Sequence, residues 1–314
     1  MEYILLVVGF VLLIKGADFF VDGASSIAKK LKVSSLIIGL TVVSLGTSMP
    51  EAAVSISASL SGNNAISLGN VIGSNIFNFL MVVGISSLIL PVATDSDILK
   101  RDMPINIGIT VVLLVMLLDG TLSRLDAVII LLLFAAYMFI LIRSALKNRT
   151  DDTEKIQRVL PWSTSIIFVV AGIAAIIGGG QLVVNSAKTI AVNLGMGETL
   201  VGLTVVAIGT SLPELVTSIV AAKKGDSGIA MGNVVGSNIF NILLILGMTG
   251  TIKPMTADAE FFIDTGILIA VSLMMLLFAF TKRETNRLEG AFCVLVYIAY
   301  TAYIIMRAFG VLTI

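Results

Sequence analysis

Two glutamates, Glu51 and Glu214, each stand immediately after a proline in the same context, Gly-Thr-Ser-x-Pro-Glu. A proline inside a helix has no amide hydrogen to donate and displaces the carbonyl four residues earlier. Each motif therefore predicts a broken helix with freed oxygens around Gly46 and Thr47, and around Gly209 and Thr210. Ser44, Thr47, Ser48, Glu51 and Ser55 recur at three- and four-residue steps, which places them on one helical face; Asn70, Ser74 and Asn78 follow at four-residue steps on the next helix. A second set repeats the pattern with Thr210, Ser211, Glu214 and Ser218, then Asn233, Ser237 and Asn241. Ala207 stands where the first set has Ser44, so a backbone carbonyl is the expected contributor there. Two carboxylates among neutral oxygens suit a hard cation, Ca²⁺ or Na⁺. With no histidine and no thiolate near them, Zn²⁺ and Cu⁺ fit poorly.

The elements that position these residues must lie in a lipid bilayer. The 314 residues are 57% apolar and 13% charged, with a mean hydropathy of +1.06. Lys plus Arg and Asp plus Glu balance at 20 each, so no nucleic-acid or polyanionic partner is indicated. The single Cys293 excludes an intramolecular disulfide, and the absence of histidine removes every Ser-His or Cys-His mechanism; no catalytic activity and no cofactor are expected. Tyr3 to Ile14 is preceded by Glu2 rather than a basic cluster and runs on through Lys15 and Asp18, so it is read as a first membrane span and not a signal peptide. Ten spans are expected, over about 3–21, 36–60, 65–88, 103–118, 124–142, 163–184, 199–222, 228–250, 261–281 and 288–309.

The chain is a duplicated unit. Residues 39–80 and 202–243 share 25 identities in 42 gap-free positions at an offset of 163. The fold class expected is an all-α integral membrane protein of ten transmembrane helices, arranged as two inverted five-helix repeats with broken helices at the midplane. Residues 1–142 and 163–314 form the repeats, and the polar stretch 143–162 is a cytoplasmic linker. Five spans per copy is an odd number, so the copies enter the membrane from opposite sides, and the four polar surfaces meet around a pseudo-two-fold axis, as in secondary transporters. With both termini outside, inside loops hold fifteen Lys and Arg residues and outside loops four. Equivalent loops change charge with the side they face: Lys29, Lys30 and Lys32 become Val192, Asn193 and Gly195, while Leu60 and Ser61 become Lys223 and Lys224. A cell-membrane protein that works as a monomer is expected.

Plainer roles compete at several positions. Gly69-Asn-Val-Ile-Gly73 and Gly232-Asn-Val-Val-Gly236 are also small-xxx-small packing patterns. Ser57 and Ser59 are expected to bond their own helix, and Lys15, Asp18 and Asp22 to form an interfacial ion pair.

The twin Gly-Thr-Ser-x-Pro-Glu and Gly-Ser-Asn-Ile-Phe-Asn blocks resemble the two alpha repeats of the cation/calcium exchanger superfamily, and most of all its prokaryotic sodium/calcium exchangers. The resemblance implies antiport of Ca²⁺ against Na⁺ by alternating access, with the first and sixth spans forming a sliding bundle. It further implies ion contacts at Thr47, Ser48, Glu51, Ser74 and Asn78 in the first repeat and at Thr210, Ser211, Glu214 and Ser237 in the second, with backbone carbonyls near Ser44 and Ala207. Asn241 departs from the pattern, since many of these exchangers carry aspartate there. The site then holds two carboxylates rather than three, and potassium co-transport is expected to be absent. A proton-coupled Ca²⁺ antiporter on the same fold, a passive cation channel and an intramembrane enzyme using Ser48 or Ser211 are the rival readings.

Overall fold

The computed structural model describes residues 1–62, 64–147, 159–196 and 207–311, without the side chains of 64, 65 and 207. Eight of its helices are long and apolar enough to cross a membrane: α1 (Glu2–Leu31), α4 (Ile66–Ile89), α5 (Ile98–Asp119), α6 (Arg124–Lys147), α7 (Trp162–Asn193), α10 (Ser227–Ile252), α11 (Ala259–Lys282) and α12 (Arg287–Ala308). A ninth span is broken into α2 (Ser35–Thr47) and α3 (Met49–Leu60), which meet at 48°. The expected span over 199–222 lies partly outside the described residues; its described parts are α8 (Ala207–Thr210) and α9 (Leu212–Lys223). The chain is thus a multi-pass, all-helical membrane protein apart from two tiny antiparallel ladders.

Those ladders join loops that are distant in sequence. Val92–Ala93 (β1) pairs with Glu284–Thr285 (β4), and Thr121–Leu122 (β2) with Met255–Thr256 (β3). The register Val92↔Thr285 returns as Met255↔Leu122 when each partner is moved by 163 positions.

α1 and α7 outrun the expected 3–21 and 163–184 by ten and nine residues at one end, because Lys29–Lys30 and Lys188 continue the helices where water can reach them. The two helices run antiparallel along a seam of small residues. A Cβ on Gly9 would stand 2.9 Å from the Gly179 carbonyl oxygen, one on Gly16 3.0 Å from that of Gly172, and one on Gly23 2.7 Å from that of Ser165. Spaced seven residues apart on each helix, these positions let backbone meet backbone, the packing that lipid-embedded helices rely on when no hydrophobic effect drives them together.

α4 and α10 form the centre, and α10 is buried along nearly all its length. α5, α6, α11 and α12 surround them and turn Leu118, Leu125, Leu132, Leu277 and Leu295 outwards as a lipid face. Arg307 on α12 grips Asp264 on α11 with two hydrogen bonds, of 3.1 and 2.9 Å, and Glu260 lies 3.4 Å away. The positions 163 residues earlier make the same bridge between α5 and α6, where Arg101 donates to Ser144 Oγ at 2.8 Å. Breaking a buried pair leaves an uncompensated charge, so Arg307→Met is expected to cost about 3–5 kcal/mol. Denaturation in detergent would show it, with most of the loss recovered when Asp264→Leu is added.

Candidate cation-binding site

The break between α2 and α3 falls at Ser48, whose backbone leaves helical geometry at φ −82°, ψ 6°; Ser211 does the same between α8 and α9 at φ −93°, ψ 6°. Pro50 and Pro213 sit in the first turns of α3 and α9, where no amide hydrogen is needed. They leave the Gly46 and Gly209 carbonyls without their usual helical donors. Each glutamate follows at once, in the first turn of its half-helix, facing the positive end of that helix dipole.

The two breaks hold each other's carboxylates. Ser48 Oγ donates to Glu214 Oε1 at 3.1 Å, and Ser211 Oγ donates to Glu51 Oε1 at 3.0 Å. Ser74 on α4 lies 3.1 Å from Ser211 Oγ, while Ser237 on α10 donates to Glu214 Oε1 at 3.4 Å. The hydroxyls of Thr47 and Ser237 are 3.4 Å apart. Glu51 and Glu214 are both fully buried, and among the described residues no lysine or arginine forms an ion pair with either.

Around this centre lies a layer of amides. Asn70 donates to the Glu51 carbonyl at 3.2 Å and to Ser55 Oγ at 3.0 Å; Asn233 donates to the Glu214 carbonyl at 3.3 Å and to Ser218 Oγ at 3.0 Å. Asn233 Oδ1 also accepts from Thr47 at 2.9 Å. α4 and α10 are laced by reciprocal bonds. Asn75 donates to the Asn238 carbonyl at 3.1 Å and Asn238 to the Asn75 carbonyl at 3.2 Å, while Asn78 donates to Asn238 Oδ1 and Asn241 to Asn75 Oδ1, both at 3.0 Å. A π-helical turn begins at each of the last two, over Asn78–Val82 and Asn241–Leu246. Such turns add a residue to the helix and often re-aim side chains at functional sites.

Four buried oxygens in this assembly have no hydrogen-bond partner among the described residues: Glu51 Oε2, Glu214 Oε2, Asn78 Oδ1 and Asn241 Oδ1. Buried polar atoms are nearly always paired, and leaving one unpaired costs about 1–3 kcal/mol. All four are acceptors and two are carboxylate, a composition that fits a hard cation that takes oxygen ligands. No cluster of three or more His, Cys, Asp or Glu side chains occurs among the described residues, so the oxygen set is mostly neutral.

The other expected site residues divide. Thr210 is buried at the end of α8, and the side chain of Ala207 lies outside the described residues. The Ser44 hydroxyl is taken up by backbone carbonyls: it donates to that of Gly39 at 2.5 Å and lies 3.3 Å from that of Gly232. Ser59 bonds the Thr249 carbonyl on α10 at 3.1 Å rather than its own helix, because that helix passes within reach. Asp18 and Asp22 pair with Lys224. The small-xxx-small reading holds for the second copy, where a Cβ on Gly232 would meet the Leu36 carbonyl at 2.9 Å, but not at Gly73, which has open space around it. Asn75 and Asn238 are absent from the expected set although both stand inside the repeated Gly-Ser-Asn-Ile-Phe-Asn block; their repetition at equal offset was the available signal.

Comparison with known proteins gives a consistent picture. The family model described as sodium/calcium exchanger protein matches residues 1–143 and 164–306. The sodium/calcium exchanger MaX1 of Methanosarcina acetivorans is 38% identical over 341 aligned positions, covering 95% of this chain and 97% of that protein. Inner membrane protein YrbG of Escherichia coli is 37% identical over 287 positions, covering 88% of each. Among solved structures, the sodium-calcium exchanger NCX_Mj, soaked with Na⁺ and Sr²⁺, superposes with a TM-score of 0.83 at 34% identity over 96% of this chain and 97% of that one.

Proposed function

Because this chain belongs to the sodium/calcium exchanger protein family, we propose that it is a secondary antiporter exchanging Ca²⁺ for Na⁺ across the cell membrane by alternating access. The observation that carries the proposal is the set of four unpartnered buried oxygens on Glu51, Glu214, Asn78 and Asn241. Two ionised glutamates balance one Ca²⁺ in charge, and Asn241 adds an oxygen without adding charge. Na⁺ and Ca²⁺ then compete for one neutralised centre. An occupied site hides its charge from the bilayer and an empty one resists crossing, which couples the two fluxes.

The coordinating set in this reading is Glu51, Glu214, Ser48, Ser211, Ser74, Ser237, Thr47, Thr210, Asn78 and Asn241, with backbone oxygen from the region of Ser44 and Ala207. The two halves, 1–142 and 163–314, form inverted units of five spans with the site at the bilayer centre, both termini outside and residues 143–162 cytoplasmic. The swapped ladders and the repeated helix bridges, each related by 163 positions, support that symmetry. Transport of Ca²⁺ and Na⁺ needs no cofactor and no second subunit.

The test is ⁴⁵Ca²⁺ uptake into proteoliposomes under an outward Na⁺ gradient or an outward proton gradient, with voltage held by ionophore. Uptake driven by Na⁺ and not by protons is expected, without stimulation by K⁺. Uptake driven by protons alone would move the protein to a proton-coupled exchanger, and linear flux without a counter-ion would make it a channel. Asn233→Ala is expected to lower the apparent Ca²⁺ affinity roughly 10- to 100-fold, the usual effect of removing a group that orients a ligand. Asn233 holds Thr47 and the Glu214 backbone at once, so an unchanged half-saturating Ca²⁺ concentration would contradict its place in the site.

A further inference from the structure

At the end of α9, the half-helix that carries Glu214, Lys224 reaches across to α1. Its ammonium lies 2.7 Å from Asp18 Oδ1 and 2.6 Å from Asp22 Oδ1, and it donates to the Asp18 backbone carbonyl at 2.9 Å. The two aspartates are one helical turn apart, so a single lysine bridges both. Beside them Ser25, also on α1, donates to Asp226 Oδ2 at 2.9 Å, and Asp226 caps the start of α10 through the Ile229 amide. α1 is therefore pinned by charge to the turn between α9 and α10. Through its glycine seam, α7 is pinned with it.

Among the described residues, the opposite end of the α1–α7 pair shows no clasp at the equivalent positions. The positions 163 residues away from Lys224, Asp18 and Asp22 are Ser61, Gln181 and Asn185, none of which carries a charge. We propose that Lys224, Asp18 and Asp22 form a one-sided ionic latch. It holds the α1–α7 pair against the half-helix that carries Glu214, opens when the pair moves along the core, and so sets the resting balance between the two access states. The latch rests on the alternating-access reading, in which that pair must shift relative to the half-helices. All three side chains are part exposed, which limits each pair to a modest contribution. The latch should bias the balance about three- to tenfold, and salt should weaken it. An ion that binds one state gains or loses apparent affinity by up to the same factor, reached when that state is the minor one.

The experiment reads position rather than transport, so it stands apart from the question of which ions are exchanged. In a Cys293→Ala background, spin labels at Ile14 on α1 and Leu60 on α3, both outward-facing, report the distance between the pair and the core without Na⁺ or Ca²⁺. Lys224→Met is expected to enlarge the displaced population three- to tenfold, Asp18→Asn with Asp22→Asn to reproduce this, and Asp22→Lys with Lys224→Asp to restore the original distribution. Identical distributions for wild type, Lys224→Met and the double Asn variant would overturn the latch even if Na⁺-driven Ca²⁺ uptake is found. The expected shift together with no Na⁺-driven uptake would keep the latch and overturn the exchange reading.

Discussion

Glu51→Gln and Glu214→Gln are each expected to reduce Ca²⁺ transport at least about 100-fold while the protein stays folded. Glutamine keeps the volume of the side chain and an oxygen that can accept from Ser211 or Ser48, so the hydrogen bonds at 3.0 and 3.1 Å can survive. What is lost is one of the two negative charges that would face a divalent cation in this buried site. At an effective dielectric of about 20, two unit charges 4 Å apart attract by about 4 kcal/mol, and the divalent ion roughly doubles this. Every 1.4 kcal/mol is about tenfold in affinity, so even a third of that attraction gives the stated loss. Stability should move the other way in the absence of ions, because an unpaired buried charge has been neutralised. The ion-free Gln variants are therefore expected to melt no lower than wild type in detergent, and added Ca²⁺ should no longer raise their Tm as it raises that of wild type. Wild-type Ca²⁺ exchange by both variants would remove these carboxylates from the transport step.

Gly172→Val is expected to destabilise the protein by about 3 kcal/mol or more and to stop transport. A Cβ at Gly172 would lie 2.8 Å from the Gly16 carbonyl oxygen, the Phe20 amide nitrogen and the Phe20 Cβ. Two of those are backbone atoms, which cannot rotate aside, so relief requires α1 and α7 to separate; overpacking commonly costs about 1–3 kcal/mol, occasionally more, and a collision with backbone belongs at the upper end. Gly178→Val on the same helix is the control, since nothing lies within 4 Å of its added Cβ. It carries the same change of residue type without the collision. Equal melting temperatures for the two variants would show that the seam does not depend on close backbone approach.

The centre of the site is legible in sequence because duplication writes it twice. Pro50-Glu51 and Pro213-Glu214 mark the breaks, and four-residue spacing brings Ser74 and Asn78, then Ser237 and Asn241, to one side of their helices. Contacts between copies are not written in either copy alone. Asn75 lies off the stripe defined by Asn70, Ser74 and Asn78, and its value appears only when α4 meets α10 and Asn238 answers it. Ser44 shares the helical face of Glu51 by spacing, yet the close passage of α10 at Gly232 supplies a carbonyl that draws its hydroxyl elsewhere. Asp18 and Asp22 read naturally with nearby Lys15, while their partner Lys224 is about 200 residues away. The ends of α1 and α7 escape a hydropathy reading because a helix can leave the bilayer without changing its backbone.

The glycine seam between α1 and α7 also bears on voltage. Each helix carries a macrodipole equivalent to about half an elementary charge at either end, positive at the amino terminus and negative at the carboxyl terminus. Helices of 30 and 32 residues laid antiparallel, backbone against backbone, put opposite ends side by side. Their dipoles largely cancel. Moving the pair along the membrane normal then carries little backbone charge through the transmembrane field, which would otherwise do about 2.3 kcal/mol of work per elementary charge for each 100 mV. The current measured during turnover should accordingly carry almost no contribution from the backbone of the moving pair and belong to the ions and the charged side chains.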